Sequence, residues 1–170
     1  SIHREENVDS DKNFYSLLNA IEEIAKKYKI PIIISTHPRT KQRLKSISYK
    51  DNKKFIKFSK PYGFHEYNKL QMNAFCILSD SGTITEEASL LKLPAITIRQ
   101  AHERPEGMDE TSVVMSDLSK EKIISAIDLV VSQNKTKHLF KTVSDYDVNN
   151  VSKKIVRIIY SYTDYVNRTV

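Results

Sequence analysis

The stretch from Ala74 to Leu93 constrains the fold more than any other part of the chain. An apolar run, Ala74-Phe-Cys-Ile-Leu78, leads into the small polar turn Ser79-Asp-Ser-Gly-Thr83, and a helical repeat of apolar positions starts at Ile84. Strand, turn, helix in that order aims free backbone N–H groups outward. The first-turn amides of a helix have no internal partner and carry about half a positive charge, so Ser81-Gly82-Thr83 favours a phosphate. Glycine at 82 lets an anion approach the backbone closely. Taken alone, the same turn also reads as an ordinary Ser/Thr helix cap.

The rest of the chain repeats this alternation. Apolar positions at Phe14, Leu17, Leu18, Ile21, Ile24 and Ala25 predict an amphipathic helix over Lys12–Tyr28, with Asp9 or Ser10 as its cap. Ile30-Pro-Ile-Ile-Ile34 reads as a strand ending at or just before His37, since Pro38 disfavours helix at its predecessor. A short helix over Thr40–Ser46, a strand over Phe55–Phe58 and a helix over Phe64–Met72 follow. Beyond the opening segment come strands over Pro94–Ile98 and Ser112–Met115, then a helix over Lys120–Val131 capped by Ser119. A last helix is expected over Val148–Tyr160, with mixed signals from Ser161 onward.

Strands and helices alternating at this spacing predict an α/β fold with a doubly wound parallel sheet covered on both faces. Ligands of such sheets bind beyond the carboxyl ends of the strands. That places Ser35–His37, Ser59–Tyr62, Ser79–Thr83 and Arg99–Arg104 on one rim. With 170 residues, one domain is expected.

The formal charge of +6 is scattered along the chain, as in Lys41-Gln-Arg-Leu-Lys45, and no nucleic-acid motif accompanies it. A solvated basic surface is the reading, with no nucleic-acid partner. No run of about 20 apolar residues is present, and Ser1-Ile-His-Arg-Glu-Glu6 lacks a signal-peptide apolar region, so no membrane partner and a cytoplasmic location are expected. Cys76, the single cysteine, cannot form an internal disulfide and reads as a buried structural thiol. No Cys/His cluster or Asp-rich ligand spacing occurs, so neither metal nor cofactor is expected.

Three motifs in order, His3-Arg-Glu-Glu-Asn7, Ser79-Asp-Ser-Gly82 with Glu86-Glu87-Ala88, and Glu103-Arg-Pro-Glu106, resemble the non-hydrolysing UDP-N-acetylglucosamine 2-epimerase family. The resemblance covers nearly the whole chain. It implies the Rossmann-like, UDP-binding C-terminal half of a glycosyltransferase-B-type fold, with the N-terminal domain and its catalytic carboxylates absent. It further implies a UDP-sugar ligand, residues 161–170 packing on that other domain, and a homodimer at full length. Thr83 replaces a second glycine of many members, and the loop reads His102-Glu-Arg-Pro-Glu-Gly-Met-Asp-Glu110. This version resembles the branch that forms UDP-N-acetyl-L-fucosamine, which leaves the substrate open between UDP-N-acetylglucosamine and a 6-deoxy analogue.

By the same resemblance, Ser81, Gly82 and Thr83 hold the diphosphate and Glu87 accepts from the ribose hydroxyls. Tyr67 packs on the uracil with Tyr62 nearby, Arg104 contacts substrate or orders the cleft, and His3 is the catalytic candidate beside the leaving UDP. Other readings stand next to these. Glu86 fits a solvated helix face, Arg104 a salt bridge to Glu103, Glu106 or Asp109, and the tyrosines fit core positions. His37, His102 and Arg4 line the rim or cap strand ends. Two rival functions remain at this point, a glycosyltransferase of the same architecture and a free-standing nucleotide-sugar-binding module.

Overall fold

Apolar periodicity and the residues that interrupt it set the elements in turn. The computed structural model describes residues 1–50, 54–99, 101, 104–134 and 140–169. In chain order these are α1 (Glu5–Val8), α2 (Asp11–Tyr28), β1 (Ile32–Ser35), α3 (Pro38–Ser46), β2 (Ile56–Ser59), α4 (Phe64–Met72), β3 (Ile77–Ser79) and α5 (Ile84–Leu91). β4 (Ala95–Ile98), α6 (Pro105–Asp109), β5 (Val114–Ser116), α7 (Lys120–Asn134) and α8 (Val151–Thr169) complete the order.

Helix ends follow local chemistry. Ser10, not Asp9, caps α2 by accepting from the Asn13 amide at 3.3 Å, and Ser119 accepts from the Lys122 amide at 3.4 Å at the start of α7. Pro38 stands at the first turn of α3, where a missing N–H costs nothing, so that helix starts two residues earlier than expected. Strands β1, β3 and β5 begin two or three residues later than expected, at Ile32, Ile77 and Val114. The final helix also departs from expectation, since α8 starts at Val151 and continues through Thr169 without a break at Tyr160. Its Ile155, Ile158, Ile159, Tyr162 and Val166 keep helical spacing through the segment of mixed signals, and the stripe outweighs the modest helix propensities of Thr163, Tyr165 and Val166.

Every pairing among the described strands is parallel. β1 pairs with β2, and β4 lies between β3 and β5. The α/β parallel arrangement is as expected, but the sheet is in two pieces. No described strand lies between β1 and β3, and only an isolated parallel bridge from Ile2 to Thr36 reaches across from the β1 side.

All four residues of β4 are buried, and they alternate between two cores. Ile96 and Ile98 join Phe14, Leu17 and Ile21 of α2 and Ile123 and Ile127 of α7 on one face. Ala95 joins Ile84 and Ala88 of α5 and Val113 on the other. Both faces are thus covered, which a parallel sheet requires. α6 packs on α5 through Gly107, where an added Cβ would come within 2.1 Å of the Thr85 Cγ2. α8 buries none of its side chains. None of the described helices is long and apolar enough to cross a membrane.

Candidate functional site at the carboxyl ends of the strands

Asp80, directly after β3, is fully buried and organises the rim. Its carboxylate accepts from the His3 amide at 3.0 Å, the Arg4 amide at 3.0 Å and the Asn7 side-chain amide at 3.2 Å. The His3 Nδ1 lies 3.0 Å from Asp80 Oδ1, and the Arg4 Nε donates to the Asp80 carbonyl at 3.0 Å. Two sequence motifs far apart in the chain are therefore one structure. Burial pushes the Asp80 carboxyl up, but hydrogen bonds from the His3 side chain, the Arg4 amide, Asn7 and the His3 amide together outweigh it and hold it below the usual carboxylate range. With Nδ1 engaged, His3 has its Nε2 left for other work; its side chain is 41% exposed, and its ring lies 6.4 Å from that of His37. His37 caps α3, its Nδ1 accepting from the Arg39 amide at 3.4 Å.

The turn after Asp80 forms a second network. Ser79 Oγ accepts from the Ser81 amide at 3.1 Å, and the Ser81 and Thr83 hydroxyls lie 3.0 Å apart. Thr83 donates onward to Glu87 Oε1 at 2.8 Å, while the buried Gln71 donates to Glu87 Oε2 at 2.5 Å. Thr83 occupies the cap position of α5 without making a side-chain cap bond, so its hydroxyl serves Glu87 instead of the helix. The first-turn dipole of α5 consequently faces the rim with no side chain capping it. Gly82 has no positive φ, so backbone conformation is not what calls for glycine there.

Arg104 stands at the start of α6. Its Nε pairs with Glu86, a partner outside the alternative reading of a salt bridge to Glu103, Glu106 or Asp109. Glu86 is correspondingly not a merely solvated position; it holds the arginine beside the α5 N-terminus. Glu106 instead accepts from the Tyr146 hydroxyl at 2.7 Å, and that phenol is raised well above its ordinary range, first by burial and then by the adjoining carboxylate. His102 and Glu103 lie outside the described residues.

Tyr62 and Tyr67 are half-buried, and both line a cavity of about 470 Å³ between β1 and β3, together with Gln71 and Ser1. Burial raises the Tyr67 phenol; a hydrogen bond with Ser1 opposes this, and the charges of Glu87 and Asp80 add to it. Cys76 borders the same cavity and is only partly buried, yet desolvation pushes its thiol up to about 12. It is protonated and inert at neutral pH.

The strand ends thus gather His3, Ser81, Gly82, Thr83 and Glu87 around Asp80 and α5, with Arg104 on Glu86 and the two tyrosines on the cavity wall. Asp80, Asn7, Gln71 and Glu86 escaped sequence reasoning as contributors. An acid directly after an apolar run, between two serines, was the signal for Asp80.

Comparison with known proteins identifies the family. Residues 1–160 match the family model described as UDP-N-acetylglucosamine 2-epimerase. The UDP-N-acetylglucosamine 2-epimerase of Methanocaldococcus jannaschii is 40% identical over 139 residues, covering 79% of this chain and 38% of the relative. The Methanococcus maripaludis enzyme of the same name is 34% identical over 163 residues, covering 94% and 43%. The solved UDP-N-acetylglucosamine 2-epimerase of Rickettsia bellii superposes with a TM-score of 0.84 at 47% identity, over 100% of this chain and 45% of that one. The M. jannaschii enzyme in complex with UDP-GlcNAc and UDP gives 0.82 at 38% identity, over 94% and 43%. The chain therefore spans about two fifths of the length of the curated relatives it matches. It belongs to the UDP-N-acetylglucosamine 2-epimerase family.

Proposed function

We propose that this chain is the UDP-binding half of a non-hydrolysing epimerase that inverts C2 of a UDP-2-acetamido sugar, UDP-GlcNAc/UDP-ManNAc or a 6-deoxy analogue. The observation that carries this is the uncapped α5 N-terminus flanked by Ser81, Gly82, Thr83 and Glu87, in a chain similar to one solved in complex with UDP-GlcNAc and UDP.

The reaction is elimination followed by re-addition. UDP leaves C1 with the bonding electron pair as C2 loses its proton, and a C1–C2 double bond forms. A proton returns to the other face of C2, and UDP adds back to C1. Charge develops on the departing diphosphate, where preorganised amides and hydroxyls stabilise it without reorganisation. In this reading the first-turn amides of α5, with Ser81 and Thr83, receive the phosphates. Each Glu87 oxygen accepts one internal bond and keeps a further lone pair for the ribose hydroxyls. His3 presents Nε2 beside the leaving group because Asp80 occupies Nδ1. Arg104, steadied by Glu86, adds positive charge, and Tyr67 with Tyr62 offers aromatic surface to the base.

The carboxylates that move the C2 proton belong to a second domain. The apolar stripe of α8 and residues 161–170 pack on that domain, and the whole enzyme is a cytoplasmic homodimer. The full protein should incorporate solvent deuterium at C2 with transient release of UDP. The 170-residue chain should bind UDP without turning over. An NMR titration with UDP, repeated on Gly82→Val and Glu87→Ala, tests the site, and equal affinities across the three would remove it.

A further inference from the structure

The segment between α7 and α8 reaches back to α5, the helix whose first turn faces the rim. Val143 is buried and donates its amide to Ser89 Oγ at 2.9 Å, and Lys92, just past the end of α5, bonds to Thr142. The Tyr146 amide then closes a turn on the Val143 carbonyl at 3.1 Å. Tyr146 is thus tied to the last turn of α5. Its hydroxyl nonetheless lies near the first turn, 3.2 Å from where a Cβ on Gly107 would stand, and Gly107 packs on Thr85. There it donates to Glu106 Oε1 at 2.7 Å.

Glu106 stands two residues past Arg104, whose Nε pairs with Glu86. The charges of Glu106, Glu86 and Arg104 all act on the Tyr146 phenol, so the four groups form one cluster. α6 has five residues, too few to hold a helix by itself. Contacts with α5 and Tyr146 must therefore fix Arg104 at its start. Two carboxylates compete for this cation. Paired with Glu86, the guanidinium stands beside the first turn of α5; paired with Glu106, it would fold back onto its own helix. The Glu106 carboxyl is held below its ordinary range, first by the Tyr146 hydroxyl and its own amide, with the Arg104 charge adding to them, so it is ionised at neutral pH. Burial, and after it the adjoining carboxylates, push the Tyr146 phenol up, so at that pH it is a donor. A neutral donor satisfies Glu106 without adding a charge to the cluster.

We infer that Tyr146 is a positioning residue: by engaging Glu106 it leaves Arg104 to Glu86, and so holds the guanidinium at the α5 N-terminus where the diphosphate of UDP is received. Its effect on the ligand rests on the rim being the UDP site. The side chain itself touches neither UDP nor sugar in this reading; it acts through Glu106 alone.

UDP titrations followed by NMR on the 170-residue chain test it, with Arg104→Ala, Tyr146→Phe and the double variant Tyr146→Phe/Glu106→Gln. Tyr146→Phe should weaken UDP about tenfold, because the released Glu106 carboxylate draws Arg104 to itself. The double variant, which neutralises that carboxylate, should return to within about threefold of the parent. A tyrosine that only packs would show no such rescue, since the double variant has lost more than the single one. The Arg104 Nε–H resonance, read without ligand, should move in Tyr146→Phe and come back in the double variant. Where Arg104→Ala loses affinity, an unchanged Tyr146→Phe, or a loss that the double variant does not reverse, overturns the inference. Where the parent takes up no UDP, or Arg104→Ala binds it as the parent does, the reading of the rim falls instead. The arginine resonance then decides the positioning: movement and return support it, and a resonance that stays in place in Tyr146→Phe overturns it.

Discussion

Replacing Asp80 by alanine should cost the fold about 3–4 kcal/mol at neutral pH, because three buried or half-buried donors lose their acceptor together. The donors are the His3 and Arg4 amides and the Asn7 side chain, all within 3.2 Å of the carboxylate. An orphaned donor costs about 1–3 kcal/mol, and the lower half of that range applies here, since water can reach His3 and Arg4 at the rim once the carboxylate is gone. Asp80→Asn should cost less, about 2 kcal/mol, because it keeps one acceptor oxygen but turns an amide NH2 toward donors. Urea denaturation of the three chains measures both losses. The pH dependence adds a second constraint. The Asp80 carboxyl is held below its ordinary range when folded, so its contribution is complete above about pH 4 and fades as pH falls from there through the lower folded value. The gap between the parent chain and Asp80→Asn should therefore narrow in acid. A loss below about 1 kcal/mol for alanine, or a gap indifferent to pH, would refute the reasoning.

Two further substitutions or labels follow from the packing. Gly107→Ala should destabilise by about 1–3 kcal/mol, since its Cβ falls 2.1 Å from Thr85 Cγ2, and adding Thr85→Ser, which removes that methyl, should recover much of the loss in thermal melts. No recovery would mean that α5 and α6 do not meet there. Cys76, with its thiol pushed up to about 12, should be alkylated by iodoacetamide at pH 9 about 100-fold or more slowly in the native chain than in urea, and rates within tenfold of each other would contradict its burial against the cavity.

How far the sequence discloses this molecule depends on the range of each interaction. Helical periodicity is local, and α2, α4 and α7 are legible from apolar positions alone. The strand, turn and helix around Gly82 are equally local. The joining of His3, Arg4 and Asn7 to Asp80 is not, because hydrogen bonds between residues 73 to 77 apart leave no periodic mark. The family resemblance pointed to both motifs without saying that one wraps the other. Glu86 carried no signal either; two adjacent glutamates differ only in which neighbour each reaches, and Arg104 lies 18 residues away. The α1 and α6 turns are too short for periodicity to register. The split between β1 and β3 was hidden because apolar runs announce strands, not which strands touch.

α8 stands apart energetically from everything else in the chain. A helix of 19 residues that buries no side chain gains nothing from the two cores, and its stability is that of an isolated helix in water, which is marginal at this length. The chain thus has two levels of cooperativity, a packed α/β body that melts as a unit and a carboxyl-terminal segment that opens at nearly no cost. Proteases and solvent deuterons would read α8 first, well below the concentration of denaturant that unfolds the body. Any surface that covers Ile155, Ile158, Ile159 and Tyr162 would merge the two levels into one, so the protection of α8 is an internal gauge of whether such a surface is engaged.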